Sequence, residues 1–153
     1  MTNFLGFALL TFLAIALIIM GGSAPGILSD ENQFLRGFVN HEYVNILGVI
    51  VAITTASASS IHLELRRLEA EYKFPNGFEK TRKEVRRAAI TLVMLFCAGF
   101  LLALLKPYFS GDLCGQIVFN AVAIFIFFWN ILILLALLRL AFKVGPIHLD
   151  EDS

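Results

Sequence analysis

Apolar residues fall in long blocks along this chain, and polar residues gather between them. Segments 4–21, 43–62, 88–105 and 116–140 contain no Lys, Arg, Asp or Glu apart from Arg139 at the far end of the last. A helix needs about 20 apolar residues to cross a bilayer core, so each block predicts a transmembrane helix. The fold expected is an all-α integral membrane protein, with residues 1–153 forming a single four-helix domain. The second block carries a further pattern. Asn45, Gly48, Ala52, Thr55, Ser59 and His62 recur at alternating steps of three and four, which puts them in one line along a helix. Leu47, Ile50, Val51, Ile53 and Ile61 cover the remaining surface. A small and polar line on a greasy helix is expected to face another helix or water rather than lipid. Two readings follow: close helix packing, or the lining of a pore in which several protomers bring these lines together. In a pore, Ile50 or Ile53 would supply the hydrophobic constriction.

The second helix is predicted to continue past the membrane. Leu63 to Tyr72 is a run of strong helix formers, Pro75-Asn76-Gly77 marks a turn, and Glu79 to Arg87 resumes helically into the third block. The expectation is a helical hairpin over 63–87 that extends helices two and three. Between the first two blocks, Asp30 and Gln33 have capping-box spacing, and Phe34, Leu35, Phe38 and Val39 follow at helical intervals. These predict a short amphipathic helix on the outer membrane surface. The tail, 144–153, ends in Asp150-Glu151-Asp152 and is expected to be mobile.

Composition agrees with the blocks: 58% of the 153 residues are hydrophobic, 15 of them Phe, more than a small soluble domain can cover. The first block has no basic residue before it, so it is expected to be a retained helix and not a cleaved signal. Net charge is zero, but its distribution is lopsided. Arg66, Arg67, Lys73, Lys80, Arg82, Lys83, Arg86 and Arg87 lie between the second and third blocks, and Arg139 and Lys143 close the fourth; Arg36 and Lys106 alone fall on the opposite side. The positive-inside rule then predicts a cytoplasmic hairpin and cytoplasmic termini, in the inner (plasma) membrane.

Catalytic and cofactor signatures are missing. The three histidines, His41, His62 and His148, are not paired for haem. The chain has no Cys-x-x-Cys, no His-Glu-x-x-His, no intramembrane carboxylate pair and no phosphate-binding glycine pattern. The expectation is no enzyme, no cofactor and no metal. Cys97 and Cys114 should lie roughly 15 Å apart along and beyond the third helix, too far to bond within a protomer. Cys97 is expected to be a packing residue and Cys114 to be free or to link protomers. In the fourth helix Asn120 and Asn130 are expected to bond across to neighbouring helices.

The hairpin carries the remaining candidate chemistry. Arg82, Lys83, Arg86 and Arg87 form one basic stripe, and Tyr72, Phe74 and Phe78 lie near the turn. Cations beside aromatics can hold phosphates and stack bases. Arg66, Tyr72, Lys73, Phe78, Arg82, Lys83, Arg86 and Arg87 are therefore the expected anion-binding residues, against a plainer role in orienting the protein and touching anionic lipid. The four spans together with the Arg66–Arg87 hairpin resemble, in architecture, the small multi-pass membrane effectors of bacterial anti-phage signalling systems. That resemblance implies a pore-forming module that recognises a nucleotide or nucleic-acid signal. The chain departs from the commoner pattern, in which a separate soluble sensor is fused to the helices. The leading expectation is a homo-oligomeric channel lined by helix two and regulated at the hairpin by a nucleotide, single-stranded nucleic acid or anionic lipid. Its alternatives are an accessory subunit of a larger membrane complex and a lipid-associated scaffold.

Overall fold

The computed structural model describes residues 2–71 and 77–144, and among these all regular structure is helical. In order the helices are α1 (Thr2–Ser23), α2 (Pro25–Leu28), α3 (Gln33–Phe38), α4 (His41–Glu71), α5 (Glu79–Phe109) and α6 (Leu113–Val144). Four of them, α1, α4, α5 and α6, are long and apolar enough to cross a membrane. At 1.5 Å per residue the 31-residue α4 and α5 exceed a bilayer core of about 30 Å. Both are thus longer than a crossing requires, and they stay paired as far as Glu69 and Arg82. Residues 72–76, where the turn was expected, and 145–153 lie outside the described residues.

The four long helices do not share the core equally. α6 is the hub and packs on α1, α4 and α5, while α4 and α5 pack on each other along their length. α1 leans on α6 and on α2, and Leu17 is the one side chain it buries among the described residues. Three apolar layers result. Leu17, Leu28 and Leu35 seat the α1–α3 segment against α6. Val39, Tyr43, Leu47, Leu95, Leu102, Ala123 and Ile126 fill one half of the α4–α5–α6 trio, and Ala58, Ile61, Leu65, Val85, Leu92 and Leu137 fill the other. Gly99 lets α4 approach α5, since a Cβ there would stand 2.6 Å from Leu47 Cδ1 and 3.2 Å from the Tyr43 ring. The Tyr43 hydroxyl, buried in this layer, donates to the Ala123 carbonyl at 3.1 Å.

The short α3 forms where an amphipathic helix was expected, but its cap is different. The Asn32 side chain, not Asp30, accepts from the Phe34 N–H at 3.1 Å. An Asx side chain one position before the first helical residue satisfies an otherwise unpaired amide, and Asp30 is engaged elsewhere.

Candidate functional site

The buried side of α4 is Tyr43, Leu47, Thr54, Ala58, Ile61, Leu65 and Leu68. The polar line lies roughly 130° around the helix from that side, at 100° per residue. Asn45, Ala52, Thr55 and Ser59 are exposed, while Gly48 and His62 are half-buried. Gly48 faces the α5 flank, where Phe96 would lie 3.7 Å from an added Cβ. The line therefore runs down the outside of the protomer beside the α4–α5 groove, and among the described residues no other helix covers Asn45, Ala52, Thr55 or Ser59. Of the two isoleucines, Ile53 is on the outer face and Ile50 is half-buried.

The hydroxyls here bond to their own helix. Ser59 Oγ donates to the Thr55 carbonyl at 3.0 Å, Ser57 Oγ to Ile53 at 3.0 Å and Ser60 Oγ to Ala56 at 3.2 Å. Such back-bonding satisfies a hydroxyl inside a membrane helix without a partner helix. Thr54 does the same toward Ile50, but from the buried side. A shallow depression lined by Asn40, His41, Val44, Asn45, Phe100, Ala103 and Leu104 opens where the polar line meets the start of α4.

The basic hairpin is partly occupied by its own acids. Arg82 pairs with Glu69 at 2.9 Å, and Glu69 also accepts from the Phe78 N–H at 3.0 Å. One carboxylate from α4 thus caps α5 and ties the two arms. Lys83 pairs with Glu79 at 2.7 Å. Phe78 packs against the layer of Leu65 and Val85 and not in the open. Arg66, Arg86 and Arg87 are exposed. Tyr72 and Lys73 lie outside the described residues. Of the eight residues expected to bind an anion, Arg82, Lys83 and Phe78 are engaged within the fold, and Arg66, Arg86 and Arg87 point outward.

A polar cluster at the opposite end of the bundle escaped sequence reasoning. Lys106, nearly buried at the end of α5, pairs with Asp30 at 2.8 Å. The Asn120 amide donates to the same Asp30 oxygen at 3.0 Å and to the Leu28 carbonyl at 2.8 Å, and Gln116 Oε1 accepts from the Asp30 N–H at 3.0 Å. Burial by itself would raise the Asp30 carboxyl. The hydrogen bonds from Lys106 and Asn120 and the charges of Lys106 and Arg36 outweigh it and hold the group below its ordinary 3.8. The available signal was a lone Lys at the end of an apolar helix, which must find an anion or water. The anion lies 76 positions earlier in the chain (106 − 30), beyond any local pattern.

Two expectations about single residues are corrected. Asn130 does not bond across helices: its amide donates to the Ile126 carbonyl of its own helix at 2.8 Å. Polar side chains in a membrane helix can turn back to the i−4 carbonyl when the facing side chains are apolar. Cys97 is exposed on α5 rather than packed, and both it and Cys114 are free thiols. Among the described residues no group of three or more His, Cys, Asp or Glu is placed to hold a metal ion.

This geometry defines a multi-pass membrane protein of four spanning helices, with α6 at the centre and the polar face of α4 on the outside. No family model matches the chain, and no curated protein or solved structure matches it either.

Proposed function

We propose that the protein is a homo-oligomeric membrane channel in which the outer face of α4 turns toward a shared axis. The observation that carries this reading is the exposure of Asn45, Ala52, Thr55 and Ser59 on the outside of the protomer. Left in lipid, this small and polar face would lie against acyl chains, which such a face disfavours; around an axis it meets its equivalents or water. The excess of Lys and Arg between α4 and α5 supports a cytoplasmic hairpin. That bias is stronger than the sequence count, because Lys106 on the other side is neutralised by Asp30.

One observation favours a second reading, an accessory subunit that packs this face against another protein. Ser57, Ser59 and Ser60 need no water, since each is bonded to its own backbone. The two readings separate in one experiment. The chain is purified alone in mild detergent, sized, and reconstituted into a planar bilayer. A discrete oligomer that conducts supports the channel. A monomer without conductance overturns it in favour of the subunit.

A further inference from the structure

The arginines at the hairpin's base form a pattern different from the stripe that the sequence suggested. Leu65 of α4, Val85 of α5 and Leu137 of α6 belong to one buried cluster at the hairpin end of the bundle. Arg66, Arg67, Arg86, Arg87 and Arg139 each lie within two positions of one of these three residues, and all five are exposed. Among the described residues none is in a salt bridge; the pairs formed are Arg82–Glu69, Lys83–Glu79 and Lys106–Asp30. Glu64 and Glu84 are the acids within the same two positions, so this end of the bundle is strongly cationic.

What lies one turn toward the membrane is equally specific. Leu63 precedes Arg67 by four residues and is 66% exposed; Ile90 follows Arg86 by four and is 53% exposed; Leu135 precedes Arg139 by four and is 44% exposed. Residues four apart lie on the same helix face. On three helices a guanidinium therefore stands directly above a bare aliphatic side chain. A soluble anion would use the charge and leave the aliphatic in water. A phospholipid satisfies both, with its phosphate on the arginine and its acyl chains on the leucine or isoleucine.

We propose that Arg66, Arg67, Arg86, Arg87 and Arg139 form a collar that binds the head groups of anionic phospholipids around the protomer. Phe78, the described aromatic nearest the turn, is packed inward and is not offered for base stacking. Arg67, Arg87 and Arg139 lie off the polar line of α4, which Arg66 continues, so these three test the collar separately from the channel face.

The test uses the full chain in mild detergent at low salt, with bound lipid counted by native mass spectrometry. The probes are phosphatidylglycerol, phosphatidylcholine, inorganic phosphate and a single-stranded oligonucleotide. The wild type should retain phosphatidylglycerol over phosphatidylcholine, and the preference should fall roughly fivefold for each arginine removed in Arg67→Gln/Arg87→Gln/Arg139→Gln. The matched Arg→Lys triple variant should keep most of it, which separates lost charge from lost folding. Equal retention of the two lipids by the wild type overturns the collar, as does undiminished retention in the Gln variant. Displacement of phosphatidylglycerol by inorganic phosphate or the oligonucleotide at equal concentration would overturn it in favour of a soluble anion.

Discussion

At the scale of single residues, two buried constellations make measurable demands. Gly99 stands where the Leu47 and Tyr43 side chains fill the space a Cβ would need. Leu47 and Tyr43 are both fully buried, so neither has room to retreat, and moving Tyr43 would also break its bond to the Ala123 carbonyl. Gly99→Ala is expected to cost about 1–3 kcal/mol by overpacking, read as a lower unfolding temperature in detergent, whereas Gly37→Ala, where nothing lies near the added carbon, should change little. The Asp30–Lys106 pair makes a different demand. Asp30→Asn leaves a nearly buried ammonium without its anion, and such a loss costs about 3–5 kcal/mol in a well-buried pair, less here because Asp30 keeps some contact with water. The double variant Asp30→Asn/Lys106→Met removes both charges and should recover much of that loss. The pH dependence follows from the depressed carboxyl. A group held below its unfolded value adds stability that is present above that value and lost as pH falls through its folded one. Asp30 should therefore contribute fully at neutral pH, down to about its ordinary 3.8, and lose its contribution below that in an acid unfolding titration. Stability falling between pH 7 and 5 in the wild type but not in Asp30→Asn would contradict this.

At the scale of elements, what could be read from the sequence depends on how local the cause is. The four spans were legible because hydrophobic length is a property of consecutive residues, and the continuation of the second block into the hairpin was legible because Leu63 to Glu71 are helix formers of mixed charge. The seam was legible as a line but not as a direction: spacing fixes which residues share a face, and only the packing of Leu47, Thr54 and Ile61 on α5 and α6 fixes that this face points outward. The peripheral seat of α1 was illegible because all four blocks look alike in hydropathy. It follows from Leu17, Leu28 and Leu35 meeting α6 across segments distant in sequence. The direction of the seam changes a test. Thr54 and Thr55 are neighbours, yet Thr54 is fully buried and Thr55 is exposed. Thr54→Leu should overpack the core and lower stability by about 1–3 kcal/mol. Thr55→Leu and Ser59→Leu should leave the protomer's stability within about 0.5 kcal/mol, as for an open surface, and act on assembly or conductance instead. If Thr55→Leu and Ser59→Leu alter neither, the outer face of α4 has no functional partner.

At the scale of the whole molecule, the two ends of the bundle differ in how they treat charge. At one end Lys106 is drawn inward and neutralised, leaving Arg36 as the exposed cation of α3. At the other, five arginines on three helices are exposed, with Lys80 exposed beyond them. A chain inserted with those arginines on the translocated side would have to carry them across hydrocarbon, at a cost of about 2.5–3.5 kcal/mol per arginine on an insertion scale. The buried pair at the opposite end adds little to the cost of crossing, because it travels neutral. This asymmetry predicts that the hairpin is cytoplasmic and that the loop holding Glu31 faces outward. The check is labelling of single cysteines by a membrane-impermeant maleimide on intact cells. Cys97 and Cys114 are exposed thiols and must first be replaced by serine. In that background Glu31→Cys should label from outside, and Lys80→Cys only after the membrane is permeabilised. Both positions are exposed, so failure to label would reflect sidedness and not burial. Labelling of Lys80→Cys in intact cells would invert the topology, place the arginine collar against the outer leaflet and remove the basis for a cytoplasmic mouth to the channel.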